Sequence, residues 1–311
     1  MKIFVSGSLA YDRIMDFPGL FSDHFVPEKL HNINVSFMVT TLDESFGGTA
    51  GNIAYSLKLL GHEPRILSTT GKDFTPYRDW LTKNAIDTAS IASVEKEKTA
   101  CASVMTDKND NQITAFYMGA MGVPYTLPVA PEKDAFGIIA PGNVADMEHL
   151  ASVYRESGMP FIFDPGQAIP ALSAEALKNG IEGSRALMSN DYELALIMQK
   201  TGWSEEDILA HTEMLVTTLG KNGSRIRMKE KVFETPAAKP KDASDPTGAG
   251  DAYRAGFIHA LSQGWPVETC TKFAAVVACY TIETLGTQNH FFTKEDTRAR
   301  YKENFNEELP A

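Results

Sequence analysis

From residue 134 onward, short uninterrupted apolar runs alternate with stretches whose apolar positions recur every three or four residues. The runs at 135–140, 160–164, 186–188 and 215–218 read as strands buried on both faces, since a half-exposed strand would alternate apolar with polar. The stretches between them, at 144–156, 173–180 and 192–201, carry helical spacing. A hairpin near 225–235, a helix opening after Gly250, another over 269–284 and a polar helix after Thr293 complete the series. Strands alternating with helices predict an α/β body, a mostly parallel sheet flanked by helices.

The first third of the chain is less regular. Ile3-Phe4-Val5 predicts a short buried strand ending at Gly7. Residues 13–46 have little helical periodicity, and 32–39 alternate like a half-exposed strand. Residues 99–106 and 112–117, joined by the polar turn Asp107-Lys108-Asn109-Asp110, predict a hairpin. Two excursions, about 13–46 and 97–118, thus predict a small β-rich lid standing off a single domain that spans 1–311. Between them, Gly47-Gly48-Thr49-Ala50-Gly51-Asn52 turns into an amphipathic helix that stops at Gly61. The pattern contains no internal repeat, low-complexity tract or linker.

Charge narrows the partners. The 29 Lys and Arg against 40 Asp and Glu give a net charge of −11, with no basic run. Nucleic acid and anionic membranes are therefore not expected partners. An acidic chain that handles phosphate must do so locally, with backbone amides, a few basic side chains and a metal ion. Cys101, Cys270 and Cys279 have no metal-ligand spacing and suit a reducing cytosol. The apolar run at the start is too short for a signal peptide, and the longest one, around 273–282, is too short for a membrane span. A soluble cytoplasmic protein is expected.

Asp245-Pro246-Thr247-Gly248-Ala249-Gly250-Asp251 carries the chemistry. Pro and Gly force a turn there, and the apolar stripe of Ala255, Phe257, Ile258 and Leu261 continues it as a helix. Bare peptide N–H groups of Gly248, Ala249 and Gly250 at the positive end of a helix form an anion hole. Asp251 beside that hole makes sense if a hydroxyl lies between them, its proton going to Asp251 while the loop holds a phosphoryl group. The plainer alternative is an acidic residue favoured in a first helical turn.

Other strand ends offer weaker signals. Asp12 after the first strand is a ligand candidate or merely a cap. Gly47-Gly48 lets something press on the backbone facing Asn52, or is only a tight turn. Asn190 and Glu193 share a helix face and could hold a hydrated Mg²⁺ beside phosphates, or form a capping box. Thr218-x-Gly220-x-x-Gly223 suits a nucleotide over the turn, or a hairpin lead-in. No Walker A sequence, protein-kinase signature or dinucleotide fingerprint occurs.

Together these motifs, in this order and spacing, resemble the ribokinase-like (PfkB) carbohydrate kinase family, over nearly the whole chain. Within it the chain is similar to bacterial adenosine kinases through Gly7-Ser8-Leu9-Ala10-Tyr11-Asp12, Phe17-Pro18-Gly19, Leu30-His31, Val35-Ser36-Phe37, Tyr77-Arg78-Asp79-Trp80-Leu81, Thr201-Gly202-Trp203-Ser204 and Gly286-Thr287-Gln288. The resemblance implies an ATP- and Mg²⁺-dependent kinase acting on the 5′-hydroxyl of adenosine or a related nucleoside, in purine salvage. A monovalent cation (K⁺) near Asp245 is left open. Asp12, Gly48 and Asn52 would hold the ribose, Asp251 would be the base, and Gly248, Ala249 and Gly250 the anion hole. Asn190 and Glu193 would organise Mg²⁺ and phosphates, and Thr218, Gly220 and Gly223 the nucleotide. Ser8 and Gln167 match positions facing the purine. Lid pairing in a homodimer would bring Ser36 and Phe37 to the neighbour's site. One departure stands out: of two aromatic lid positions that sandwich the base, only Phe116 matches, and Ala102 stands at the other. Losing one ring costs on the order of 1 kcal/mol, which keeps a sugar kinase of ribokinase or fructokinase type as the alternative. A catalytically silent nucleoside or sugar sensor is a third reading.

Overall fold

The computed structural model describes every residue except Leu30, Lys133 and Ala311, so Leu30 of the Leu30-His31 pair lies outside the described residues. The chain opens with β1 (Lys2–Ser6), β2 (Ala10–Asp16), β3 (Asp43–Gly47), α1 (Thr49–Leu59), β4 (Glu63–Gly71), α2 (Thr75–Lys83) and β5 (Ile91–Val94). The hairpin β6 (Ala100–Thr106) and β7 (Gln112–Tyr117) follows, then β8 (Phe136–Ile139), α3 (Val144–Ser157), β9 (Phe161–Phe163) and α4 (Ala174–Ile181). The last part holds β10 (Ala186–Asn190), α5 (Asp191–Thr201), α6 (Glu205–His211), β11 (Leu215–Thr218), β12 (Ser224–Arg227), β13 (Val232–Thr235), α7 (Ala249–Ser262), α8 (Val267–Ile282) and α9 (Lys294–Phe305).

Nine strands form the large sheet in the order β13-β12-β11-β10-β9-β8-β1-β4-β5. All neighbours from β11 to β5 run parallel, and β12 and β13 are antiparallel additions at one edge. The alternation of side chains along each strand sorts its residues between two cores. Ile3, Val5, Ile66, Ile138, Ile162, Met188 and Val216 face the core shared with α1, α7 and α8. Phe4, Leu67, Ile139, Phe161, Phe163, Leu187 and Leu215 face the opposite core, with Met147, Leu150, Leu177 and Ile197 of α3, α4 and α5. Burial on both sides is why these strands read as continuous apolar runs.

A separate four-stranded sheet has the order β3-β2-β6-β7. Its β6–β7 hairpin is where the sequence pattern puts it. Residues 32–39, expected as a strand, form none. Strands pair through backbone hydrogen bonds, and alternation alone supplies no partner; instead Phe37 packs edge-on against Phe17 and Phe21. The strands from this part of the chain are β2 and β3, which pair with each other. Asp12 consequently lies within β2 of the small sheet, between Ser45 and Ala102 in register, rather than in a loop after a large-sheet strand. Residues 62–96, where the apolar pattern gave no element, supply β4, α2 and β5. The buried Ser68, Thr69 and Thr70 of β4 broke the apolar run that would have marked it. No helix among the described residues is long and apolar enough to cross a membrane.

Candidate active site

The chain leaves β1 toward β4 on one side and later returns to β8 on the other, which opens a crevice at the carboxyl ends of β1 and β8. Ser8 N–H donates to the Pro141 carbonyl at 3.0 Å and closes the crevice floor. The small sheet stands over this opening, and α1 and α7 begin beside it.

Glycines bring the first carboxylate in. A Cβ on Gly47 would stand 2.0 Å from Asp12 Oδ2, so the absent side chain is the space that Asp12 occupies. Gly48 has φ 87°, and a Cβ there would approach the Ser8 carbonyl oxygen to 2.6 Å. The tight turn that starts α1 thus needs both glycines. Ser8 Oγ accepts the Thr49 N–H at 3.0 Å, so the hydroxyl expected to face a ligand also caps this helix. Burial, and then the charge of Asp245, pushes the Asp12 carboxyl up to about 6.

Asn52 and Asp251 meet although 199 residues separate them, because α1 packs against α7: Asn52 Nδ2 donates to Asp251 Oδ2 at 2.8 Å. The amide is oriented from behind. Trp80 Nε1 donates to Gln288 Oε1 at 3.1 Å, and Gln288 Nε2 donates to Asn52 Oδ1 at 3.1 Å and to the Tyr77 hydroxyl at 2.6 Å. The Tyr77 hydroxyl donates on to the Gly47 carbonyl at 2.8 Å. An indole N–H can only donate, so Trp80 sets the polarity of the whole series and Asn52 must show its NH₂ to Asp251. Burial pushes the Asp251 carboxyl up to about 6, against the lowering by Arg254 and by the Asn52 hydrogen bond. A carboxylate with that value is a competent base near neutral pH.

At the start of α7, Gly248 has φ 78°. Ala249 N–H is used in a turn to the Pro246 carbonyl at 3.2 Å, whereas Gly248, Gly250 and Asp251 N–H have no acceptor among the described residues. Of the Gly248–Gly250 set that the sequence suggested, Gly248 and Gly250 thus keep open donors, Ala249 does not, and Asp251 N–H joins them. Asp245 holds the loop, accepting from Thr247 N–H at 2.9 Å and Gly286 N–H at 3.1 Å. Arg254, one turn into α7, is buried with Asp164 at the end of β9; its Nε and Nη2 donate to the two carboxylate oxygens, Nη2 at 2.7 Å. Asn190 and Glu193 form the capping box of α5, Asn190 Oδ1 accepting from Glu193 N–H at 2.7 Å and Glu193 Oε2 from Asn190 N–H at 2.8 Å. Both also face a cavity, and burial raises the Glu193 carboxyl above its ordinary value.

Two adjoining spaces result. A cleft of about 540 Å³ is lined by Ser8, Asp12, Gly48, Asn52, Ala102, Phe116, Gln167 and Asp251, with an apolar wall that includes Met118, Met121 and Val144. That volume is ordinary for a small-molecule site. A second space of about 370 Å³ is lined by Asn190, Glu193, Thr218, Gly220, Gly250 and Arg254. Gly248, Asp251, Thr49 and Gln167 border both. Gly223 borders neither; its φ of 93° and a Cβ position 1.9 Å from the Thr235 carbonyl oxygen make it a packing glycine of the β12–β13 edge. Ser36 is exposed and Phe37 lies in the aromatic cluster, so neither reaches this chain's own cleft.

Sequence reasoning missed Asp164 and Arg254. Arg254 carried a signal, since residues three apart on a helix share a face with Asp251; Asp164 carried none. Gln288, Trp80 and Tyr77 entered only through family likeness, without a role. Among the described residues no group of three or more His, Cys, Asp or Glu could hold a metal ion. Glu193 alone suits an ion that keeps its waters and is carried by phosphates, which is the habit of Mg²⁺.

Known proteins similar to this chain place its fold in a family. A nucleoside kinase of Methanocaldococcus jannaschii is 33% identical over 272 residues, covering 86% of this chain and 89% of the relative. The structure of Burkholderia thailandensis nucleoside kinase in complex with inosine superposes with a TM-score of 0.87 at 34% identity, covering 99% of this chain and 100% of that one. Its complex with ADP-inosine gives 0.85 at 35%, covering 99% and 98%. The family model described as pfkB family carbohydrate kinase matches residues 8–294, from the end of β1 into α9. The chain therefore belongs to the pfkB family of carbohydrate kinases, ribokinase-like phosphotransferases that take an alcohol group as acceptor.

Proposed function

We propose that the protein is an ATP-dependent nucleoside kinase that phosphorylates the 5′-hydroxyl of adenosine or a related purine nucleoside. The observation that carries this is the position of Asp251 on the border of both cavities, beside the open N–H groups of α7, with Asp12 and Asn52 in the larger one. In this reading Asp12 and Asn52 hold the ribose hydroxyls, and the base lies against Phe116 under the small sheet, which acts as a lid. Gln167, on the border of both spaces, offers a side-chain amide to the purine edge.

Asp251 accepts the proton as the 5′-oxygen bonds to the γ-phosphorus. The bond from that phosphorus to the β,γ-bridging oxygen breaks, and its electron pair stays on ADP. Gly250 and Asp251 N–H face the oxygens of the group in flight. Glu193, with Asn190, would hold Mg²⁺ through its waters. Such an ion neutralises charge on the phosphate oxygens.

The sugar-kinase alternative leaves the apolar wall around Phe116, Met118, Met121 and Val144 wet, since a lone pentose has no apolar face of that size. A role for Ser36 and Phe37 needs a second copy of the chain and stands or falls with its oligomeric state. The test is ADP release with adenosine, inosine, ribose and fructose at equal concentration, with and without Mg²⁺. Purine nucleosides are expected to exceed both sugars in kcat/KM by at least tenfold, as base stacking is worth about 1–3 kcal/mol. Preference for ribose or fructose, or no acceptor-dependent ADP, overturns the reading.

A further inference from the structure

We propose that Arg254 is a catalytic residue of the phosphoryl transfer, its guanidinium contacting the γ-phosphate of ATP while Asp164 holds it in place. The inference rests on the kinase reading above and adds a group to it. Arg254 is 8% exposed and Asp164 1%, so both charges are buried. Asp164 engages Nε and Nη2 in a two-pronged pair, and Nη1 has no acceptor among the described residues. A Cβ on Gly250 would stand 2.8 Å from that Nη1, which places the free edge of the guanidinium over the first residues of α7. Gly250 is therefore bare for a second reason, to let this edge approach the open N–H groups.

Charge balance points the same way. The cavity beyond Asp251 is lined by the carboxylates of Asp164, Glu193 and Asp251, and Arg254 is the one basic side chain in its lining among the described residues. A nucleoside triphosphate could not enter a space so acidic without a cation on the wall. A pair needed only to brace β9 against α7 would be no worse as apolar side chains, and would not leave N–H groups pointing into a cavity. A guanidinium held by a fixed carboxylate needs no rearrangement as the reaction proceeds. As the 5′-oxygen–phosphorus bond forms and the bond to the β,γ-bridging oxygen breaks, Nη1 donates to a γ-phosphoryl oxygen. The electron pair of the broken bond goes to ADP and the hydroxyl proton to Asp251, so Arg254 stays protonated throughout.

The test uses the full-length chain carrying Asp164→Asn together with Arg254→Met, which removes both buried charges and leaves neither unpaired. Initial rates are measured with the nucleoside that the unaltered protein turns over, and calorimetry gives the affinities of ADP and of β,γ-methylene-ATP with Mg²⁺. Absence of turnover in the unaltered protein would fault the kinase reading itself, while the two affinities would still report on Arg254. The expected result is a fall in kcat of about 10²–10³-fold, with ADP affinity within about twofold and the triphosphate analogue weakened at least about fivefold more than ADP. Arg254→Lys keeps the charge but loses the fork; it is expected to fold and to lose about tenfold or more in kcat. A kcat within about fivefold of the unaltered protein in a folded variant overturns the assignment, as do equal losses for ADP and the analogue. Failure of both variants to fold also overturns it, since the pair is then a brace.

Discussion

Replacing Asp251 by Asn should abolish the reaction and make the unliganded protein more stable, and the two effects have one cause. Burial lifts the carboxyl from 3.8 to about 6 even though Arg254 and Asn52 pull it down. A group whose folded value lies above its unfolded one takes up its proton more readily in the native state. Its stabilising share is complete below 3.8 and is lost as the pH rises through about 6. At pH 8 the native state therefore carries an ionised carboxylate that the unfolded chain holds more comfortably. The rise corresponds to about 3 kcal/mol at about 1.4 kcal/mol per tenfold change in protonation; screening by water in the open cleft reduces it to about 1–2 kcal/mol. The Asn side chain keeps an acceptor for Asn52 Nδ2 and has no charge to desolvate. At about 2.1 cal/mol/K of unfolding entropy per residue, 311 residues turn that gain into about 2–3 °C in Tm. Scanning calorimetry of both proteins at pH 8 and pH 5, beside ADP-release rates, makes the measurement. Turnover should fall roughly 10²–10⁴-fold, Tm should rise at pH 8, and the rise should shrink at pH 5. An Asp251→Asn variant that melts lower at pH 8, or whose gain is the same at both pH values, refutes the electrostatic account. One that retains near-normal turnover refutes the base.

Two further perturbations address the groups around Asp251. Gln288→Glu gives Trp80 its acceptor but offers Asn52 a second carboxylate oxygen, so the Asn52 amide turns and presents oxygen to Asp251. Losing that donor raises the Asp251 pKa, and the acid limb of kcat/KM should move upward from about 6; a limb that stays in place across pH 5–8 would mean that Trp80 and Gln288 do not orient Asn52. Gly47→Ala puts a methyl group 2.0 Å from Asp12 Oδ2 and must displace that carboxylate. The KM for the acceptor should rise about tenfold or more, the worth of a hydrogen bond to a charged group, while the KM for ATP changes little; equal changes in both would show that Asp12 does not hold the acceptor.

Local order was legible along the sequence because it depends on neighbours within a few residues. Unbroken apolar runs marked the strands of the parallel sheet, helical spacing marked α3, α5, α7 and α8, and glycine pairs marked the turns at which α1 and α7 begin. Asp251 could be singled out for the same reason, since the role proposed for it rests on the glycines immediately before it. β4 escaped notice because its buried Ser68, Thr69 and Thr70 look polar in one dimension. Residues 32–39 misled because alternation cannot supply a pairing partner. Only tertiary structure decided which distant residues meet. The packing of α1 on α7 joins Asn52 to Asp251, the sheet order places Asp164 at the end of β9 beside Arg254, and the second sheet carries Asp12 back against Gly47. Trp80 and Gln288, 208 residues apart, set the direction of one amide. Strand order and helix crossings set these meetings, and each depends on burial summed over the whole sheet rather than on any short stretch of chain.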